Sequence, residues 1–196
     1  MGLKFEYTKG QTPISEEEKA GLKIKSISTM GELNEFEQQN IEEAIEWTLR
    51  NAPDAKTILS EAFINSVHKK MFQNVWSWAG SYRLTNKNIG VAYYKIRQEV
   101  RVLIDNCKYW VEKEIYPPDE IANRFKHRLV SIHLYPNGNG RHSRLMGDIL
   151  IKALKGEPFT WGSQTIDQNE SRKKYIEALR VADNGDYTAL IQFSRK

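Results

Sequence analysis

Residues 133–144 read HLYPNGNGRHSR and separate two amphipathic helices. Before them, apolar residues recur at helical spacing until Pro136 ends the run. After them, a second apolar face begins at the same spacing. The apolar positions are Ile121, Phe125, Leu129 and Ile132 in the first helix and Leu145, Met146, Ile149, Leu150 and Ala153 in the second. The stretch therefore predicts a helix–loop–helix, in which two glycines allow a tight turn.

The loop between these helices has the composition of a phosphate site. Residues 138–140 stand where the second helix begins, and the first N–H groups of a helix have no intrahelical partner and favour an anion. Arg141 and Arg144 lie on neighbouring tracks of that helix, so two guanidinium groups could bind a polyphosphate. His133, at the other edge of the loop, could accept a proton near neutral pH. These residues indicate a site for phosphate chemistry.

The loop resembles the signature of the Fic (filamentation induced by cAMP) family, His-x-Phe-x-Asp/Glu-Gly-Asn-Gly-Arg-x-x-Arg. The matching residues are His133, Gly138, Asn139, Gly140, Arg141 and Arg144, with Tyr135 at the Phe position. Asn137 departs from the signature, because the family usually has there the acid that holds Mg²⁺. The surrounding segments YPPDEIA, HRLVSIH and ADNGDYT are most similar to a bacterial subgroup called mobile mystery protein B. That resemblance implies a mobile-element origin and a small helix-turn-helix partner protein.

The resemblance runs from about residue 54 to the C-terminus and implies the all-α Fic fold, with a short β-hairpin flap over the active-site loop. We therefore divide the chain into an N-terminal arm and first helix (1–53) and a Fic domain (54–196), together one globular unit. Residues 83–93 contain a polar turn and predict the hairpin. In the family this flap holds the target by main-chain pairing. The candidate docking residues are Lys87, Asn88, Ile89 and Gly90.

The activity implied by the resemblance is transfer of a nucleoside monophosphate, usually AMP from ATP, to a Ser, Thr or Tyr hydroxyl of a target protein. His133 would be the general base, and the N–H groups of residues 138–140 would hold the α- and β-phosphates. Arg141 and Arg144 would neutralise the β- and γ-phosphates. Tyr175 is a candidate contact for the nucleotide base, with core packing as its alternative role.

The residue at position 137 leaves three interpretations open. An Mg²⁺ or Mn²⁺ ion would find an amide oxygen at Asn137, which is a weaker ligand than a carboxylate. The chain could be an active adenylyltransferase, a transferase with a different nucleotide donor, or a nucleotide-binding regulatory or interaction module with little turnover. We favour the first interpretation because His133 and both arginines are present.

The N-terminal region offers no full match to the inhibitory sequence Ser/Thr-x-x-x-Glu-Gly/Asn of many Fic proteins. The nearest match begins at Ser28 and reaches Glu32, but Leu33 fails the last position. Thr29 and Glu32 have instead the spacing of a capping box, which predicts a helix that runs to about Arg50. The source of any restraint on the site stays open at this stage.

The composition agrees with a soluble globular protein. The 196 residues are 40% hydrophobic and 28% charged, with a formal net charge of +4. Acidic and basic residues are mixed along the chain, so nucleic-acid binding is not expected. The chain lacks an apolar run of about 18 residues, so we expect no membrane span. Cys107 is the single cysteine, which fits a reducing cytoplasmic setting.

Overall fold

The computed structural model of the protein describes residues 16–162 and 168–196, and these residues are mainly helical. The helices are α1 (Glu16–Ala20), α2 (Met30–Asn51), α3 (Ala55–Ile58), α4 (Glu61–Phe72), α5 (Ile96–Glu112), α6 (Pro118–Ile132), α7 (Asn139–Ala153), α8 (Gln168–Asp183) and α9 (Thr188–Ser194). A 3₁₀ turn, Tyr93–Lys95, leads into α5. The prediction of a helical fold is confirmed over this part of the chain, and none of its helices has the length and hydropathy to cross a membrane.

Local capping signals explain where the first helices begin. The Thr29 hydroxyl accepts a hydrogen bond from the Glu32 N–H at 3.2 Å, and the Glu32 carboxylate accepts one from the Thr29 N–H at 3.1 Å, which completes the predicted capping box. Asp54 caps α3 as its position predicts. A second cap at Ser60, whose hydroxyl accepts from the Phe63 N–H at 3.2 Å, starts α4 separately. Ser60 therefore separates α3 from α4, because its side chain offers the backbone a competing partner.

The largest hydrophobic cluster joins α2 to α7 around the loop between α6 and α7, and α8 and α9 bury a separate, smaller cluster. Helix α6 packs against both α7 and α5, and α2 packs on α4. Helices α8 and α9 pack on each other, and α9 reaches α6. The most buried core residues include Leu33 of α2, Ile64 and Met71 of α4, Phe125 of α6 and Leu150 of α7. Because α2 shares this core, the division at residue 53 separates no independent core, and it stays a prediction.

The described part of the N-terminal arm lies against the chain that follows α4. The Lys23 N–H donates to the Val75 carbonyl at 2.9 Å, and the Ser77 N–H donates to the Gly21 carbonyl at 2.8 Å. Residues 1–15 of the predicted arm lie outside the described residues. Residues 16–27 therefore form part of the packed structure beside the loop rather than an unattached extension.

The β-hairpin predicted for residues 83–93 is not confirmed. These residues form turns and bends without a strand. Both ends of the segment pair with the end of α6 instead of with each other: the Arg83 N–H donates to the Leu134 carbonyl at 3.0 Å, and the Val91 N–H donates to the Ile132 carbonyl at 3.3 Å. The buried Arg83 guanidinium also donates to the Val91 and Thr85 carbonyls, which a hairpin ladder would use. We call residues 84–94 the flap segment.

Candidate active site

Two residues in the left-handed region of backbone space bound the loop between α6 and α7. His133, with φ of 58°, ends α6, and Gly138, with φ of 78°, precedes the first residue of α7. We call residues 133–138 the motif loop. The Asn139 side chain closes it, accepting from the Tyr135 N–H at 2.9 Å and donating to the Tyr135 carbonyl at 2.8 Å. The Asn139 side chain is therefore a structural clamp, and only its backbone N–H is available to a ligand.

The first turn of α7 has three backbone donors that take no part in its intrahelical hydrogen bonds. The N–H groups of Asn139, Gly140 and Arg141 precede the first intrahelical hydrogen bond, which runs from the His142 N–H to the Gly138 carbonyl at 2.9 Å. A methyl group built on Gly140 would meet nothing within 4 Å. These residues therefore retain the anion-binding geometry that the sequence predicts for a helix beginning here.

The side chain of Asn137 turns back onto its own loop. Its amide oxygen accepts from the Gly138 N–H at 2.7 Å. This contact occupies the Gly138 donor that the sequence assigned to a phosphate, and it also engages the oxygen assigned to a metal ion. A neutral amide oxygen that already accepts a hydrogen bond is a poor ligand for Mg²⁺. The motif loop itself contains no carboxylate, so its residues do not form a metal site on their own.

His133 lies at the mouth of the motif loop in its neutral form. Burial lowers the pKa of His133 to about 4, and the nearby charges of Arg83 and Lys87 act in the same direction. Its Nδ1 atom is buried and has no hydrogen-bond partner among the residues that the structure describes. The Arg83 Nε atom donates to the His133 carbonyl at 2.6 Å, which fixes the backbone of the residue. The ring is thus positioned and unprotonated at neutral pH.

Arg141 is bound to an acid that the sequence analysis missed. Its guanidinium lies 2.6 Å from the Glu37 carboxylate of α2. Glu37 is 5% exposed, and it also accepts from the Trp76 indole N–H at 2.6 Å. Phe36, the apolar neighbour of Glu37 in α2, is by contrast 40% exposed. The i and i+4 spacing of Leu33 and Glu37 was the available signal that Glu37 faces inward.

Arg144, three residues after Arg141 on α7, lies beside Tyr175 of α8. The Arg144 guanidinium carbon is 5.8 Å from the Tyr175 ring centre, and the buried Lys126 ammonium is 4.2 Å from the same centre. The Tyr175 ring packs against Phe193 of α9 at 5.3 Å. Burial raises the pKa of the Tyr175 hydroxyl to about 12. Tyr175 therefore supports the position of Arg144 through packing, while its contact with a nucleotide base stays a prediction.

The predicted docking residues of the flap segment divide into two groups. The Lys87 ammonium lies 2.6 Å from the Glu18 carboxylate of α1 and is only 18% exposed, so it serves as a tie to the N-terminal region. Asn88, Ile89 and Gly90 face the solvent, and Ile89 is 57% exposed. A methyl group on Gly90 would lie 2.5 Å from the Cβ of His133. Gly90 therefore lies against His133, and the docking role of the exposed group stays a prediction.

Comparison with known proteins agrees with this arrangement. Residues 58–151 match the family described as Fic/DOC, and the match covers α4 to α6, the motif loop and most of α7. A protein adenylyltransferase Fic from Aedes aegypti is 26% identical over 150 residues, which are 74% of this chain and 28% of that protein. A protein of the same name from Nematostella vectensis is 31% identical over 119 residues, which are 59% of this chain and 26% of that protein. The chain thus spans about a quarter of these curated relatives.

A solved structure extends the likeness to the whole fold. The BepC protein of Bartonella tribocorum, a VirB-translocated effector with bound AMPPNP, superposes with a TM-score of 0.67 at 16% identity. The superposition covers 96% of this chain and 93% of that one. At this level of identity the likeness establishes the fold, and the helices on both sides of the motif loop are part of it.

Proposed function

Because residues 58–151 match the Fic/DOC family, we propose that this protein is an adenylyltransferase that moves AMP from ATP to a Ser, Thr or Tyr hydroxyl of a target protein. One observation carries the proposal. A neutral and partly unpartnered His133 stands at the edge of a loop whose other edge is the open first turn of α7, followed by Arg141 and Arg144. The names of the two relatives and the nucleotide bound in BepC support the same reaction.

In this reaction the target hydroxyl attacks the α-phosphorus of ATP. His133 takes the hydroxyl proton as the new P–O bond forms, and the bond from the α-phosphorus to the bridging oxygen breaks to release pyrophosphate. The free protein holds the pKa of His133 at about 4, so the ring is ready to accept a proton at neutral pH. The negative charge of a bound polyphosphate opposes the effect of Arg83 and Lys87, raises this pKa and makes the ring a stronger base.

The leaving pyrophosphate gains negative charge, which the chain meets with donors on α7. The N–H groups of Asn139, Gly140 and Arg141 lie at the positive end of the helix and need no rearrangement to bind phosphate oxygens. Arg144 follows one turn later. Arg141 must exchange its partner, because Glu37 holds its guanidinium at 2.6 Å in the free protein. Donor binding is therefore in competition with the contact between α2 and α7.

The residues of the motif loop do not fit a divalent ion without help from the nucleotide. Asn137 supplies one neutral oxygen, and the Gly138 N–H already donates to it. We therefore assign the proton transfer and the phosphate contacts to His133, α7 and its arginines, and route no step through an ion.

The flap segment is the proposed docking site for the target protein. Asn88, Ile89 and Gly90 are exposed beside His133, and their backbone could pair with an extended segment of the target. A cleft of about 490 Å³ continues from the flap segment; its lining includes Tyr82, Leu84, Tyr93, Tyr94 and Arg97. This surface would take an extended segment that places an apolar or aromatic side chain next to the modified hydroxyl.

The test is incubation of the purified protein with ATP, GTP, CTP or UTP labelled at the α-phosphate, in the presence of Mg²⁺ or Mn²⁺. We expect label from ATP on a target in a cell lysate or on the protein itself. His133→Ala should reduce the label by about 100-fold or more and leave nucleotide binding nearly unchanged. Label in wild type that survives in His133→Ala would contradict the assignment of the base, and label from another nucleotide would correct the donor.

A nucleotide-binding module with little turnover is the second candidate. The contact of Asn137 with Gly138 and the ion pair of Glu37 with Arg141 favour it, because both engage groups that the transfer requires. Measurable nucleotide binding without label from any donor would establish this function in place of the transferase.

Within the family we propose the mobile mystery protein B subgroup, on the segments YPPDEIA, HRLVSIH and ADNGDYT. This assignment carries with it a bacterial cytoplasmic location and a small helix-turn-helix partner protein. Co-expression of the chain with the protein encoded beside its gene tests the partner. Co-purification in a defined ratio would support the assignment, and independent elution of two folded proteins would contradict it.

A further inference from the structure

His68 lies beneath the motif loop and connects two separate segments of the chain. It belongs to α4 and is completely buried. Its Nδ1 atom is 3.0 Å from the Gly80 backbone nitrogen, and its Nε2 atom is 3.1 Å from the Asn137 carbonyl oxygen. A backbone N–H can only donate and a carbonyl can only accept. Nδ1 is therefore the acceptor, Nε2 carries the proton, and both ring nitrogens are used.

The ring also forms the floor of the motif loop. It stacks on Tyr135 with ring centres 3.6 Å apart and planes 16° apart. A methyl group on Gly138 would lie 2.6 Å from the Phe72 ring and 3.4 Å from the His68 Nε2 atom. His68 thus contacts the loop at Tyr135, at the Asn137 carbonyl and below Gly138. These contacts fix the peptide group between Asn137 and Gly138, which precedes α7 and sets the direction of its first N–H groups.

The second hydrogen bond of His68, from the Gly80 N–H, connects the ring to the segment that positions His133. Gly80, with φ of 80°, ends the turn after α4 and lies three residues before Arg83. The Arg83 guanidinium then donates to the His133 carbonyl at 2.6 Å and to the Thr85 and Val91 carbonyls of the flap segment. A single imidazole ring therefore joins the segment that orients His133 to the loop that orients the α7 donors.

We propose that His68 is a positioning residue of the transfer reaction, whose two ring hydrogen bonds hold the phosphate-binding turn of α7 in register with His133. The proposal deepens the adenylyltransferase function and rests on it for the identity of the ligand. His68 reaches no reacting atom; it acts through Asn137 and Gly80.

The surroundings keep the ring in the required neutral state. Burial lowers the pKa of His68 well below its ordinary value, and the facing His142 and Arg141 lower it further, against the opposing effect of the Asn137 carbonyl. A second proton would place an N–H on Nδ1 against the Gly80 N–H. The neutral form with the proton on Nε2 is the one that can make both contacts.

Two substitutions separate the contacts. An Asn side chain places its oxygen near the position of Nδ1. His68→Asn can therefore still accept a hydrogen bond from the Gly80 N–H, but it loses the hydrogen bond to the Asn137 carbonyl. A Gln side chain reaches toward the position of Nε2. His68→Gln can therefore still donate to the Asn137 carbonyl, but it loses the hydrogen bond from the Gly80 N–H. Each variant loses one hydrogen bond in the same buried place, so their losses of stability should be similar.

The readouts are amide hydrogen exchange at residues 138–141 and at Gly80, together with the dissociation constant for a non-hydrolysable ATP analogue. We expect His68→Asn to increase exchange at residues 138–141 and to raise the dissociation constant about tenfold, the usual effect of one lost hydrogen bond. His68→Gln should change that dissociation constant less than about threefold. It should lower kcat more than it raises KM, because it loses the hydrogen bond to the segment that orients His133.

A matched control is His127 of α6, which is also buried and uses both ring nitrogens, on Asp183 and Tyr187. His127→Asn and His127→Gln should lower stability without changing exchange at residues 138–141. Equal effects of the two His68 variants on exchange and binding, in proportion to their stabilities, would reduce His68 to a packing residue and overturn the proposal.

Wild-type protein supplies a check that needs no variant. A long-range ¹H–¹⁵N correlation of the imidazole at neutral pH should show Nδ1 of His68 unprotonated, and a proton on Nδ1 would overturn the proposal. The exchange and tautomer measurements do not depend on transfer activity. A protein that behaves as expected in them and transfers no AMP would contradict the proposed function alone.

Discussion

The motif loop and the flap segment lie side by side at His133, yet the structure holds them in opposite ways. In the motif loop, residues 133–135 and Gly138 are buried, and Tyr135 is fixed by the Asn139 side chain and by the His68 ring. In the flap segment most side chains are exposed, and its tertiary hydrogen bonds lie mainly at its two ends, through Arg83 and Val91.

This difference corresponds to two kinds of recognition. A nucleotide triphosphate is a fixed chemical group, so a preorganised turn of N–H donors suits it and avoids reorganisation during reaction. A protein target presents a segment whose side chains are not dictated by the reaction. A main-chain edge tied at its ends can accept such a segment by backbone pairing, with specificity left to exposed side chains such as Leu84 and Ile89.

The largest effect is expected from Arg83→Lys, because one guanidinium contacts both the motif loop and the flap segment. Arg83 is 2% exposed and donates to carbonyls on the flap segment and at the end of α6. A lysine ammonium cannot reach these points together, and each unsatisfied buried group costs about 1–3 kcal/mol, so we expect a loss of about 3 kcal/mol or more. Transfer should fall more than about 100-fold, since His133 loses its backbone support. Urea unfolding and the labelling assay measure the two effects.

A matched control for this variant is Arg97→Lys. Arg97 is 81% exposed and lies 3.6 Å from Glu61, so its replacement should change stability by less than about 1 kcal/mol. If Arg83→Lys were as mild as Arg97→Lys, the two regions would not depend on a common anchor.

The next test is Gly90→Ala, which places a methyl group of the flap segment against the motif loop. With φ of 96° and only 2.5 Å to the His133 Cβ, the alanine must displace either the flap segment or the catalytic ring. We expect a loss of about 1–3 kcal/mol and a fall in transfer of about 10- to 100-fold, with smaller effects on ATP binding. Thermal unfolding and the ratio of kcat to KM report them.

Gly31→Ala provides the control for a glycine without such a contact. Gly31 lies in α2, and a methyl group there would meet nothing closer than Thr29 at 3.8 Å. This variant should be neutral or stabilised by up to about 1 kcal/mol. A Gly90→Ala protein that transferred AMP at the wild-type rate would show that the flap segment moves independently of His133.

The sequence predicted the parts of the site that are local. Helical periodicity placed α6 and α7, the two glycines and Pro136 placed the loop between them, and the Thr29 capping box placed the start of α2. Each of these features depends on residues within about one or two helical turns of each other. The predictions from the sequence therefore agree with the structure where neighbouring residues determine it.

The missed residues act over long stretches of chain. His68 and Asn137 are 69 residues apart, and Arg83 and His133 are 50 residues apart. A polar residue inside an otherwise apolar helix face gives no sign of its distant partner, so the sequence around His68 does not predict its contact with Asn137. The hairpin prediction had the same limit: its polar turn was local, whereas the carbonyls of the segment were taken by the buried Arg83 and by α6.

A smaller effect is expected from Glu37→Gln, which tests the phosphate contacts that follow the motif loop. The Glu37 carboxylate competes with phosphate oxygens for Arg141, and glutamine removes the charge while it can still accept from the Trp76 indole. We expect ATP affinity to rise about threefold to tenfold, which corresponds to a partly exposed ion pair of about 1 kcal/mol. Calorimetric titration with a non-hydrolysable analogue measures it.

Glu46→Gln is the control on the exposed side of α2, where Glu46 pairs with Arg50 at 3.6 Å and both side chains are at least 70% exposed. This change should leave the affinity unaltered. A loss of affinity in Glu37→Gln would mean that Glu37 orients Arg141 for the phosphate and does not compete with it.

The smallest expected effect is the near absence of titration at His133 between pH 8 and pH 5. A pKa of about 4 means that the ring binds its proton only as the pH falls toward 4. At pH 5.5 roughly 3% of His133 would be protonated, compared with roughly 90% for a histidine of ordinary pKa near 6.5. A titration of ¹⁵N-labelled histidine followed by NMR, assigned with His133→Asn, measures the midpoint. A midpoint between pH 6 and pH 7 would contradict the buried setting that distinguishes the motif loop.

The same titration with a non-hydrolysable ATP analogue bound tests how the donor prepares the base. The polyphosphate brings negative charge close to a ring whose protonated form is disfavoured by burial and by Arg83 and Lys87. Its presence should therefore raise the midpoint of His133, because an anion favours the protonated form. A base that strengthens only when the donor is bound would be weak toward solvent protons in the free protein and effective toward the hydroxyl of a docked target. An unchanged midpoint in the saturated complex would place the phosphates away from His133 and separate the donor site from the base.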